Sequence, residues 1–212
     1  MEDTIRHSCT SKGFAQSEDP RRRQKRLEAY NEVLWRLRDL KKVAEASVPG
    51  FEDELRTHFM RLCLRYALGL DVERAEDVLM HKRLLKEAEN PATTSPVIEV
   101  RLVEMQSCDI SFLQIHAASD GSRGQKVKCE CPCASREERL RHEVTIATKD
   151  KLKLFSRLTN VLDEVGLLYH EVHAFTTTDG YFLGVFCGDC RSYEGVEQLK
   201  HVLVAEMSKL KS

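Results

Sequence analysis

Hydrophobic residues recur along this chain in two different periods, and the change of period divides it. From Leu27 the spacing is three and four: Leu27, Tyr30, Leu34, Leu37 and Leu40 share one side of a helix, with Arg, Lys and Glu between them. This first helix should fade near Ala46–Ser47, because "SVPG" is a turn signal. A second helix is predicted from Phe51, with Glu52, Asp53 and Glu54 at the positive end of its dipole and Leu55, Phe59, Leu62 and Tyr66 as its apolar face. Gly69 reads as a break. Asp71 is placed to cap a third helix, with Val72, Ala75, Val78, Leu79 and Leu85 facing inward and an end at Asn90-Pro91. Residues 25–90 therefore read as a three-helix segment with short connections. Residues 1–24 have few large apolar side chains and no period, so disorder is expected there.

After the linker-like "ENPATTSP" the period becomes two. In 97–105, Val97, Glu99, Arg101, Val103 and Met105 alternate with Ile98, Val100, Leu102 and Glu104, which predicts a strand. Residues 106–139 lose all pattern and are expected to form a flexible, cysteine-containing loop. From Leu140 the order of elements is clear. "HEVTIAT" is a strand. "DKLKLFSRLTNVLDEVG" is a helix with Leu154, Leu158, Val161, Leu162 and Val165 inward, Asp150 as its N-cap and Gly166 as its stop. "LLYHEVHAFTTT" and "YFLGVFC" are strands joined at Asp179-Gly180, and "SYEGVEQLKHVLVAEMSKL" is a second helix. The β-α-β-β-α order of 140–209 fits a split βαβ, ferredoxin-like unit, making the chain α+β with an antiparallel sheet. Strand 97–105 is expected to serve as an extra edge strand beside 142–148, since an exposed sheet edge invites pairing.

Composition narrows the function classes. Net charge is −1, so no global field draws the chain to nucleic acid or an anionic membrane. No apolar run reaches the ~18 residues that suggest a membrane span. The N-terminal stretch has no apolar h-region and carries Glu2, Asp3, Glu18 and Asp19. Eight cysteines without an export signal suggest a reducing compartment, so a cytoplasmic location is expected, with the nucleus as the alternative. "RRRQKR", Arg21 to Arg26, reads as a solvated flank in preference to a localisation or phosphate-binding patch. Cys129, Cys131 and Cys133 have C-x-C spacing, and Cys187 and Cys190 have C-x-x-C spacing. Together they are a weak alternative for a four-ligand metal site. The preferred reading places Cys187 at a strand end and Cys190 in the turn before the last helix, with no metal, cofactor or catalytic residue. His58 and His81 lack partners at ligand spacing and read as surface or edge histidines. His170 and His173, three apart on one strand, should face opposite sides. Trp35 and Tyr30 read as core or interface anchors.

Residues 142–208 resemble an ACT domain, the small ferredoxin-like module that regulates metabolic enzymes and other proteins. The resemblance extends further. "LEAYNEVLWRL", "PGFEDELRTHF", "RYALGLDVERAEDVLMHKRLL", "EVRLVE", "HEVTIATKDKLKLFSRLT" and "EVHAFTTTDGYFLGVF" resemble the N-terminal regulatory half of plant ACT-domain, Raf-like serine/threonine/tyrosine kinases, some of which act on chloroplast precursor proteins. It covers about residues 27–208. The Gly-rich loop, the V-A-I-K strand, H-R-D and D-F-G do not occur in this sequence, and the sequence stops at Ser212, where the kinase domain of the family would begin. The resemblance therefore implies a non-catalytic regulatory or interaction module. The alternative is a fragment or short isoform of an active ATP-dependent kinase. The partners implied are a kinase domain or a second copy paired through the ACT module, with a small-molecule effector. Many ACT domains carry a D-x-P-G-x-L turn where backbone N–H groups meet an amino-acid ligand. Here the stretch is "KDKLKLF", with Leu152 and Lys153 in place of Pro and Gly. Asp150, Lys151 and Leu152 are the positions the resemblance gives to a ligand. The simpler reading is a capped helix start.

Overall fold

The computed structural model describes residues 19–39, 48–104 and 140–209, with Glu194 excepted. Helix α1 spans Pro20–Asp39, α2 Phe51–Arg61, the short α3 Leu64–Leu68, and α4 Ala75–Ala88 after a 3-10 turn at Val72–Arg74. Strand β1 is Val97–Glu104 and β2 Leu140–Lys149. Helix α5, Leu154–Glu164, leads to the β3–β4 hairpin of Leu167–Thr176 and Tyr181–Cys190, and α6 is Val196–Ser208.

The helical segment departs from the predicted pattern in two places. Helix α1 starts at Pro20, so the basic run forms its first two turns and the expected disordered stretch of 1–24 is too long at its C-terminal end. Pro20 supplies a pre-set φ at the first helical position, and the Asp19 carboxylate accepts the Arg21 N–H at 2.9 Å. The predicted second helix is two: Leu62 leaves helical geometry at ψ 155, and α3 restarts from Cys63. Gly69 ends α3 as expected, its N–H donating to Arg65 O and Tyr66 O. The side chains read as inward remain so across the break, since Leu55, Phe59, Leu62 and Tyr66 are all buried. Tyr30 is buried, but Trp35 is 65 % exposed. The expected fade of the first helix at Ala46–Ser47 lies outside the described residues, as do Met105 and most of the stretches read as disordered or loop.

The four strands form one antiparallel sheet in the order β1-β2-β4-β3. Strand β1 pairs with β2 from Val97 opposite Ala147 to Glu104 opposite Leu140, the edge position expected of it. Alternation sorts the side chains onto two faces. On one face Ile98, Val100, Val144, Ile146, Phe182 and Phe186 meet Leu158, Leu162, Leu199, Leu203 and Met207 of α5 and α6. On the other, Val97, Ala147, Leu183 and Phe175 meet the core of α1 to α4. The sheet is thus covered by α5 and α6 on one side and, over part of the other, by the helical segment. A β-bulge between Tyr169 and Glu171 shifts the β3–β4 register. Gly188 lies opposite that irregularity, and a Cβ there would fall 2.2 Å from Leu168 O, so only glycine lets the two backbones approach this closely.

Candidate functional site

The segment between β2 and α5 is built around an unusual residue. Lys153 has φ 60 and ψ 17, and is the one non-glycine residue with positive φ among those described. It is the N-cap of α5, so Asp150 is not the cap expected from the sequence. The Asp150 N–H instead donates to Gly180 O at 2.9 Å. The turn then closes on itself, with Leu154 N–H donating to Lys151 O at 3.0 Å and Arg157 N–H to Lys153 O at 3.1 Å. No side chain caps the helix, so its first free amides are left to solvent or a ligand. Leu152 projects outward, 90 % exposed. Asp150 is exposed as a residue, yet partial burial raises its carboxyl above the usual range, against the lowering effect of a hydrogen bond from the Lys151 N–H. Asp150, Lys151 and Leu152 therefore stand together on one exposed turn, and the left-handed conformation occurs where Lys153 stands in place of the glycine of the motif. Left-handed backbone in a non-glycine residue persists where its surroundings enforce it.

This turn is tied to the helical segment through the β3–β4 hairpin. Gly180, which accepts from Asp150, has φ +86 and closes the hairpin tip. Its neighbour Asp179 binds Arg61 at the end of α2, with Arg61 Nη2 2.7 Å from Oδ2. Thr178 N–H donates to Arg61 O at 2.8 Å, and Arg61 also meets Glu89, just beyond α4, at 2.5 Å. Burial raises the Asp179 carboxyl, but hydrogen bonds from Thr177 and Arg61 and the Arg61 charge outweigh that and hold it below the usual carboxylate range.

A second junction lies on the same sheet face. Arg74 reaches Asp77 at 2.9 Å and Glu143 at 2.7 Å, while Arg101 reaches Asp77 at 2.6 Å and donates from Nε to Glu143 Oε1 at 2.7 Å. The four alternating charges close a ring that joins α4 to β1 and β2, with the Glu143 side chain only 5 % exposed. The ring escaped the sequence reading because its members come from three separate stretches, Arg74 with Asp77, Arg101, and Glu143. Its signal in β1 was Arg101, a charge on one side of a largely apolar strand, whereas Glu99 beside it pairs with Arg83 and Lys200.

The histidines of the helical segment correct the expectation. His58 and His81 are buried, and both meet Tyr66: His58 Nε2 lies 2.9 Å and His81 Nδ1 3.1 Å from Tyr66 Oη. A hydroxyl gives one proton, so it donates to one ring and accepts from the other, which fixes opposite roles for the two imidazoles. Burial lowers His58 to about 3 and His81 to about 4. These neutral rings fill the core of the bundle.

The cysteines do not converge. Cys187 and Cys190 both lie within β4, so Cys190 is not in a turn before the last helix. Three residues apart, they face opposite sides of the sheet. Cys190 packs toward α5 and α6, whereas Cys187 sits on the Glu143 and Glu171 side, where burial and those carboxylates push its thiol up to about 11. Among the described residues no group of three or more His, Cys, Asp or Glu is arranged to hold a metal ion. Cys129, Cys131 and Cys133 lie outside the described residues. His170 pairs with Asp189 and His173 with Glu171, at 2.8 and 2.6 Å.

The chain is 38 % identical to the serine/threonine-protein kinase STY46 of Arabidopsis thaliana over an alignment of 247 positions that takes in 99 % of this chain. It is 38 % identical to STY17 of the same plant over 255 positions and all of this chain. This chain is related to plant serine/threonine-protein kinases. It spans about two fifths of the length of these curated relatives, 42 % and 43 %. No family model matches the chain, and no solved structure matches it. Among the described residues no helix is long and apolar enough to cross a membrane.

Proposed function

We propose that this chain is a non-catalytic regulatory module of the kinase relationship, in which residues 140–209 act as an ACT-type domain that binds a small ligand or protein partner and so controls kinase signalling. The observation that carries this reading is the continuous path from the β2–α5 turn to the helical segment. Asp150 is bonded to the hairpin tip at Gly180, and the adjoining Asp179 is clamped by Arg61 between α2 and α4. A ligand that reorders the turn at Asp150, Lys151 and Leu152 would pull on that tip and shift the packing of α2 against α4. A differential contact of this kind is what a regulatory ligand requires. An amino-acid-like effector fits the turn, since a carboxylate is favoured at an uncapped helix N-terminus flanked by Lys151 and Lys153. The protein partner in this reading is a kinase domain, or a second copy paired through the ACT-type sheet.

The experiment is a thermal-shift screen of the whole chain against the twenty amino acids, followed by calorimetry. One amino acid should raise the melting temperature, and Asp150→Ala should remove the effect. Arg61→Ala should leave binding in place but abolish the ligand-dependent change in amide exchange of α2 and α4. If no amino acid shifts the protein, this turn is not an effector site.

A further inference from the structure

The outward side of α1 is used by nothing described so far. Its inward side buries Arg26, Tyr30, Val33, Leu34 and Leu37. Opposite these, Arg21, Lys25, Glu28, Glu32, Trp35 and Asp39 are all exposed. Their spacings of 4, 3, 4, 3 and 4 place them in a single stripe along the helix, the spacing of a helix–helix seam. The stripe is polarised, with Arg21 and Lys25 in its first half and three carboxylates beyond. Like charges stand four apart in both halves, Arg21 with Lys25 and Glu28 with Glu32, an arrangement that destabilises a solitary helix. Arg21, Arg22 and Arg23 occupy the first turn, where the helix dipole disfavours cations, and the first turn holds no acidic residue. Trp35, 65 % exposed, stands in the acidic half. A large aromatic in such a setting is the residue type that anchors interfaces.

We propose that this stripe docks antiparallel against the same stripe of a second copy of the chain. With the two-fold axis beside Arg26 and Leu27, Lys25 of each copy faces Glu28 of the other, and Arg21 faces Glu32. The contact is self-complementary, as a two-fold interface must be. It relieves both like-charge pairs, and it carries Trp35 toward the first turn of the other copy, where the arginines offer cation–π contacts. A parallel pairing would set like charge against like. Charge complementarity thus selects both the occupant and its direction. This surface is separate from the sheet edges and from the turn at Asp150. Because exposed ion pairs contribute little individually, the affinity should be on the order of 100 µM at low salt.

Sedimentation equilibrium of the whole chain, over about 10 µM to 1 mM at low ionic strength, tests the proposal. The wild type should dimerise, and about 0.5 M salt should weaken the dimer at least tenfold, since that screens exposed pairs. Trp35→Ala should weaken it by about tenfold, the loss expected for an interface aromatic. The variants R21E/K25E and E28K/E32K should each be monomeric alone and should dimerise when mixed. The fourfold variant R21E/K25E/E28K/E32K should regain self-association. All these side chains are exposed, and circular dichroism verifies that each variant is folded. A wild type monomeric throughout overturns the proposal, with another protein then the occupant of the face. So does a dimer that survives both charge reversals, which places it at another surface, or a mixture of the reversed variants that stays monomeric.

Discussion

Tyr66 shows how much can depend on one hydroxyl. It is fully buried, its ring makes edge contacts with His58, Phe59, His81 and Phe175, and its oxygen is a polar atom that both imidazoles share. The two histidines stay neutral in the fold because burial opposes their charge, with values of about 3 and about 4 against 6.5 when exposed. Between those limits the unfolded chain binds more protons than the folded one. Stability therefore rises with pH through that window, is complete above about 6.5, and is lost as the pH falls toward 4. Two such groups give a slope of at most about 3 kcal/mol per pH unit. Urea titrations between pH 4 and 7 should show it. His58→Gln, which retains a hydrogen-bonding group for Tyr66 without a titration in this range, should cut the slope by about half. A slope unchanged by that substitution would mean that other groups carry the acid sensitivity. Sequence spacing could not reveal this triad. His58, Tyr66 and His81 are separated by a helix break and a 3-10 turn, and only the way α2 and α4 close around Tyr66 brings them together.

At the scale of elements, periodicity carried furthest where one face of an element is buried and the other wet. The inward residues of α5 and the pairing of β1 with β2 were legible for that reason, as was the hairpin at Asp179-Gly180. Caps and breaks were less legible, because they depend on a single backbone angle. Asp150 has the right chemistry for an N-cap, but α5 begins four residues later, after a turn that the left-handed Lys153 closes. That conformation costs a side-chain-bearing residue roughly 1–2 kcal/mol, while glycine costs about 0.5–1 kcal/mol in unfolded-state entropy. Lys153→Gly should accordingly stabilise the protein by about 0.5–1 kcal/mol, read as a rise in the urea midpoint at constant m-value. A loss of stability would show that the lysine side chain makes a compensating contact. The break at Leu62 was missed for a related reason, since both halves bury the same face and the hydrophobic pattern runs through it unchanged.

Across the whole molecule, the sheet has two covers, and the charge ring of Arg74, Asp77, Arg101 and Glu143 holds one of them in place. Glu143→Ala would leave Arg74 and Arg101 sharing Asp77 as the one remaining carboxylate of the ring, beside a nearly buried site. The loss should be about 2 kcal/mol, below the 3–5 kcal/mol of a fully buried pair because the arginine side chains are 38 % and 31 % exposed. In the wild type, the amides of 97–104 that point toward β2 should exchange slowly, while the alternate ones on the open edge exchange faster. Glu143→Ala should speed exchange in β1 and α4 together, and faster exchange confined to β1 would show that the helical segment is held by other contacts. The C-terminal βαββα order was legible in the sequence, but the second cover was not. It depends on the Val97, Ala147, Leu183 and Phe175 row meeting the bundle, and no local pattern encodes a contact between segments so far apart.

The place of β1 in the sheet has a kinetic consequence. The β3–β4 hairpin joins residues close in sequence, but Val97 meets Ala147 across fifty positions. Long-range pairings form late, because loop closure precedes the reward of contact. The sheet should therefore grow outward from its hairpin and finish with β1, so that changes in β1 speed unfolding and leave the folding rate nearly untouched. Thermodynamically the closure is forgiving, since doubling the connection between β1 and β2 costs only about 0.6 kcal/mol. The fold can thus accept a wide range of chain lengths between those two strands while keeping its last strand, and with it the helical cover, in register.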